Sequence, residues 1–198
     1  MPTDRDPLVR ARLCQDWLKL VAQEEEPYRG RFFARIDAPL RETIDSAARV
    51  AWIPLANYVR LADILQETFG AVRAHAYYRR AFIASLDTPL LRPIFELGAR
   101  LAGLTPATAV RWIPKGWDTA FKSAGVVTGE VLGPGSARLV YADLPAGFTS
   151  SEGWILSCAA SAYGVYDFLR VDGVVRLDQT NRSTGRIVME LEWTERRK

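Results

Sequence analysis

Histidine occurs once in the 198-residue chain, as His75, and that scarcity removes whole classes of chemistry. A protein zinc site needs three or four N or S donors, and one imidazole with no Cys-x-x-Cys cannot supply them. A serine nucleophile needs a base, and no Gly-x-Ser-x-Gly elbow is present. Cysteine is nearly as rare: Cys14 and Cys158 stand in different helix-like segments without metal-type spacing, which reads as reduced thiols in a cytosolic protein, with a disulfide as the alternative. A glycine-rich phosphate loop is also lacking, because Gly133-x-Gly135 sits in a hairpin turn and not between a strand and a helix. No apolar run approaches the ~20 residues of a membrane span, and the chain opens on Asp4, Arg5 and Asp6 in place of a basic, then apolar, export signal. Charge of one sign is missing as well: 26 basic residues face 23 acidic ones, and the single basic run is Arg196-Arg197-Lys198. Nucleic acid is therefore not an expected partner.

What is there is a change of hydrophobic period near Ser123. Before it, apolar residues recur at helical spacing; after it come short alternating runs bounded by Gly, Pro and Asn, interrupted by one helix-like stretch. With 48% apolar and 25% charged residues the chain has a globular composition. Residues 7–26 read as an amphipathic helix whose face is Leu8, Leu13, Trp17, Leu20 and Val21. Helices are predicted for 39–48, for 54–69 ending at Gly70, and for 71–86. A further helix starts at Asp87-Thr88-Pro89 and runs to Leu101, and Thr105-Pro106 repeats that start signal. Beyond Gly125, strands over 125–132 and 137–141 form a hairpin around Gly133-Pro134-Gly135-Ser136. Ser150-Ser151-Glu152 caps a small-residue helix from Gly153 to Arg170, Asp172-Gly173 reads as a turn, and strands follow over 174–180 and 186–193. The fold class is α+β, an N-terminal helical subdomain packed on a C-terminal β-β-α-β-β antiparallel sheet. The expected divisions are an N-terminal helix over 1–27, a helical subdomain over 28–123 and the sheet subdomain over 124–198, one compact domain overall.

Aromatic residues are the chain's other asset. Trp52-Ile53-Pro54 is echoed sixty positions later by Trp112-Ile113-Pro114, and both read as anchors at the start of a buried helix. Most rings fill the core. Several nevertheless fall at the seam between the subdomains, where apolar pockets form, so the pocket residues are expected to be Trp52, Tyr58, Trp112, Trp117, Trp154 and Tyr163. Glu190 and Glu192 fall on the outer face of the last strand and read as solubility rather than acid-base chemistry.

The runs Trp52-Ile53-Pro54-x-x-x-Tyr58-x-x-Leu61, Trp112-x-Pro114-x-x-Trp117, Leu139-x-Tyr141-x-x-Leu144-Pro145 and Leu191-x-Trp193 resemble a family of roughly 180–200-residue proteins expanded in myxobacteria, over most of residues 28–194. The order of elements is similar to the ligand-binding fold shared by haem nitric-oxide-binding domains, vinyl-4-reductase-type sensor domains and Bet3-like trafficking subunits. The haem group's Tyr-x-Ser-x-Arg signature is not matched by Tyr77-Tyr78-Arg79-Arg80, and the vinyl-reductase cysteine cluster is reduced to Cys158. The resemblance implies a helix-plus-sheet domain that binds an apolar molecule or a partner. The expected function is a non-enzymatic cytosolic sensor or carrier for a small apolar or amphipathic ligand, and the alternative is a homodimeric interaction adaptor. No catalytic residue, no metal and no cofactor are expected, with haem held through His75 as the alternative.

Overall fold

The computed structural model describes residues 6–86 and 105–195. The helix expected over 87–101 lies outside the described residues. The chain opens not with a helix but with a strand, β1 (Leu8–Arg10), and α1 (Ala11–Val21) begins only after it. β1 is the centre of a three-stranded antiparallel sheet, between β2 (Trp52–Pro54) and β3 (Phe121–Lys122), with Val9 opposite both Ile53 and Phe121. Val9 is fully buried there. This sheet departs from the sequence expectation because strands of two or three residues are too short for a period-2 pattern to register. The same fact separates the two Trp-Ile-Pro echoes. Trp52-Ile53-Pro54 is strand β2, whereas Trp112-Ile113-Pro114 lies inside a helix.

The helical layer follows from buried faces. α1 turns Cys14, Leu18 and Val21 inward, and burial of a side chain such as Leu18 or Val21 contributes about 1.5–3 kcal/mol. Its apolar stripe is thus covered within the chain. α2 (Tyr28–Ala34), which the sequence pattern does not announce, buries Phe32 beneath Phe69. α3 (Ala38–Ser46) is capped by Asp37, whose carboxylate accepts from the Leu40 amide. α4 (Leu55–Leu86) breaks at Gly70, whose φ of 73° and ψ of 161° suit glycine and almost nothing else. The break falls where the sequence expectation places the end of one helix and the start of the next. α5 (Pro106–Ala120) starts at the Thr105 cap, with the Thr105 hydroxyl accepting from the Thr108 amide.

The second sheet has the order β4-β5-β7-β6, formed by β4 (Val126–Gly133), β5 (Ser136–Ala142), β6 (Val171–Asp178) and β7 (Ile187–Glu195), antiparallel throughout. Leu139, Tyr141, Met189 and Leu191 point inward. On the outer face Glu130, Arg138, Glu190 and Arg176 stand opposite one another across all four strands. β6 begins at Val171, so Asp172-Gly173 is strand and not the expected turn. The reversal is made instead by Arg170 in the left-handed conformation. Gly173 is there for space: a Cβ would lie 2.3 Å from the Tyr166 ring and 2.6 Å from the Glu192 carbonyl oxygen.

α6 (Ala146–Ser150) leads into α7 (Glu152–Leu169), the small-residue helix. Ser151 caps it, accepting from the Trp154 amide at 2.9 Å while donating to Asp63 of α4 at 2.6 Å. α7 touches β6 but packs most extensively on α4. Gly153 makes that approach achievable, since a Cβ there would lie 2.4 Å from the Ala62 carbonyl oxygen.

Candidate functional site

Where α1, α4, α5 and α7 meet the inner face of the larger sheet, the side chains leave a cavity of about 190 Å³. Each wall is set by an element already described. α1 supplies Trp17, the two halves of α4 supply Tyr58 and Tyr78 with Phe82, and α5 supplies Trp112 and Trp117. β5 and β7 contribute Leu139, Tyr141 and Met189, and α7 closes the space with Trp154, Ser157 and Cys158. The rings brace each other: Trp17 lies 4.5 Å from Tyr58 and 5.2 Å from Tyr78, and Tyr141 meets Trp117 at 5.6 Å and Trp154 edge-on at 6.2 Å. Phe148 stacks behind Trp154 at 4.2 Å, and the Trp117 indole N–H donates to the Gly125 carbonyl. Such centroid distances are those of favourable aromatic pairs.

The lining is electrically silent. Among the described residues no Asp, Glu, Lys, Arg or His borders the cavity. Ser157 donates to the Trp154 carbonyl and Ser161 to the Ser157 carbonyl, so both hydroxyls are spent on their own helix. Burial pushes the phenols of Tyr58, Tyr78 and Tyr141 and the thiol of Cys158 up from their ordinary values, which keeps all four neutral. Two other hollows, beside Arg60 and beside Arg41, are surface grooves edged by the Arg60–Asp37 and Arg41–Asp45 ion pairs.

Of the six residues expected at a pocket, the structure brings four together on this cavity: Tyr58, Trp112, Trp117 and Trp154. Trp52 is elsewhere, in β2, with the Arg10 guanidinium 3.8 Å above its ring. Tyr163 is also outside the lining. It packs on His75 at 5.3 Å, and its hydroxyl accepts from the Val175 amide, tying α7 to β6. His75 itself is half-buried between α4 and α7, away from the cavity, its pKa lowered by burial and then by the Arg79 charge. Trp17, Tyr78 and Tyr141 were missed as lining residues. Each carried a legible inward position on its helix or strand, but the pattern of one element does not say which inward positions stop short of contact with the facing layer.

No protein-family model matches the chain, and no curated protein matches its sequence. Solved structures do match its fold. The Fe(II) unliganded H-NOX protein from K. algicida superposes with a TM-score of 0.65 at 10% identity, over 94% of this chain and 97% of that one. A structure solved to probe haem distortion in the H-NOX family gives a TM-score of 0.56 at 8% identity, over 95% of each chain. The IWP-051-bound H-NOX from Shewanella woodyi, in its Fe(II)CO ligation state, gives 0.53 at 11% identity, over 92% of this chain and 93% of that one. The chain therefore has the H-NOX fold, an α+β architecture.

These neighbours correct one expectation. The missing Tyr-x-Ser-x-Arg signature and the isolation of His75 argued for no cofactor, and that expectation does not stand against a fold whose solved members are described by their haem and its Fe(II) states. The described lining, as packed, does not itself fit haem. It offers neither an imidazole for the iron nor a guanidinium for a propionate, and Cys158 and the tyrosines are held neutral. At about 190 Å³ the cavity also falls below the roughly 300 Å³ at which drug-sized ligand sites begin.

Proposed function

We propose that this chain is a sensor or carrier domain that holds a small ligand in the aromatic cavity between its helices and its larger sheet. The observation that carries the reading is the convergence of tryptophan and tyrosine rings from α1, α4, α5, α7 and β5 on one uncharged space. Tyr58, Trp112, Trp117 and Trp154 form the ligand wall, joined by Trp17 and Tyr141. The fold supports it, because the H-NOX neighbours include a structure described as IWP-051-bound and in the Fe(II)CO ligation state. The reading is one of binding and not of turnover: the serines and the thiol on the lining face no general base among the described residues. Both cysteines are unpaired and no helix of the described residues is long and apolar enough to cross a membrane, which supports a cytoplasmic setting. A second copy is not required to cover α1, whose apolar face is spent inside the chain.

The test is a pair of titrations on the intact protein, haemin followed by its absorbance and toluene followed by tryptophan fluorescence. Saturable, stoichiometric uptake of at least one is expected, and Ala162→Leu, which fills the cavity from α7, is expected to abolish it while the protein still melts cooperatively. Uptake of neither compound by the folded protein overturns the reading.

A further inference from the structure

Buried tyrosine hydroxyls almost always find a partner, and in this molecule most do. Tyr77 donates to the Trp17 carbonyl at 2.8 Å, Tyr78 to the Ala62 carbonyl at 2.9 Å and Tyr166 to the Val174 carbonyl at 3.5 Å, while the Tyr163 hydroxyl accepts from Val175. Tyr58 and Tyr141 are different. They are 9% and 7% exposed, and no hydrogen bond satisfies either hydroxyl among the described residues. Nor are they sealed in: the described side chains with closed-off, unpartnered polar atoms are Gln15, Gln66, Thr68 and Arg73. The open space that Tyr58 and Tyr141 border is the cavity.

We propose that the cavity takes a neutral ligand of single-ring size bearing one oxygen, which Tyr58 and Tyr141 hydrogen-bond. The inference rests on the cavity being the binding site. Charge is disfavoured by the lining, since among the described residues no counter-charge borders the space and an ion entering it would lose its hydration uncompensated. A plain hydrocarbon fills the space but leaves both phenols unpaired. Size follows from volume: an apolar cavity of roughly 150 Å³ accepts benzene, and this one is about 190 Å³, room for a ring and a short substituent. A phenol hydroxyl both donates and accepts, so the oxygen of a ketone, an alcohol or a phenol can pair with either tyrosine.

The test uses three probes of matched shape on the intact protein: acetophenone, ethylbenzene and benzoate, titrated by calorimetry. Acetophenone is expected to bind roughly fivefold to tenfold more tightly than ethylbenzene, the worth of one net hydrogen bond, and benzoate not saturably. In Tyr58→Phe/Tyr141→Phe that preference falls to near parity while ethylbenzene affinity is unchanged. Near-ultraviolet dichroism of the double variant checks that its packing is native. Equal binding of acetophenone and ethylbenzene to the unmodified protein overturns the inference and leaves the cavity reading standing, with water serving the phenols. Tighter binding of benzoate overturns it too. Failure of all three probes overturns the inference, and the cavity reading falls with it only if haemin and toluene are refused as well.

Discussion

A methyl group added at Gly153 would sit 2.4 Å from the Ala62 carbonyl oxygen and 2.7 Å from the Asp63 amide nitrogen, backbone atoms that no rotamer change can move aside. Gly153→Ala is therefore expected to cost about 1–3 kcal/mol, the usual range for overpacking. Gly147→Ala, where the added carbon meets nothing within 4 Å, is expected to stay within about 0.5 kcal/mol of the parent. Thermal melts of the two variants decide it, and equal midpoints would refute the close approach of α4 and α7. Ser151→Ala removes the acceptor for the Trp154 amide and the donor to Asp63 together, at an expected cost of about 1–2 kcal/mol by denaturant titration. The Ser151 cap was legible, because Ser-Ser-Glu before an apolar run announces a helix start. Its bond to Asp63, 88 residues away in sequence, was not.

At the scale of elements, β1 carries more of the fold than its three residues suggest. Val9→Asp would bury an unpaired carboxylate at the centre of the smaller sheet and is expected to abolish cooperative unfolding. Val126→Asp, on the exposed face of β4, is expected to leave the melt nearly unchanged. Circular dichroism against temperature distinguishes them; a cooperative Val9→Asp melt would show that β1 is dispensable. The long elements were readable: the break at Gly70, the hairpin around Gly133-Pro134-Gly135-Ser136 and the start of α7 all follow from turn and cap chemistry that acts locally. The smaller sheet was not. Leu8–Arg10, Trp52–Pro54 and Phe121–Lys122 become strands only because they find each other, and nothing in three residues records a partner a hundred positions away. The site divides the same way. Trp112, Trp117 and Trp154 were expected at the seam and line the cavity, whereas Trp52 and Tyr163 stood equally well in sequence and were drawn off by Arg10 and by His75 and Val175.

For the whole molecule, burial has an electrical consequence. The phenols of Tyr58, Tyr77, Tyr78, Tyr141 and Tyr166 are all raised above the ordinary tyrosine value of about 10, with desolvation the largest cause. A raised pKa on an acid that is neutral when protonated means stability that is fully present below about pH 10 and is lost as pH rises toward the folded-state values. Phenolate absorbance from these five is expected to appear together with loss of tertiary dichroism, in one alkaline transition. Their smooth titration in a protein that stays folded would contradict the packing. The smaller sheet also sets an order of events on the ribosome. Its three strands end at residues 10, 54 and 122, so a chain emerging from the exit tunnel holds β1 and β2 ready but lacks β3 until the chain has been made as far as Lys122. Contacts of such separation are slow to close, and until they do the aromatic faces of α1 and α4 stand uncovered on the nascent chain. The helical half is thus a part of this protein that a chaperone would meet with its rings still open.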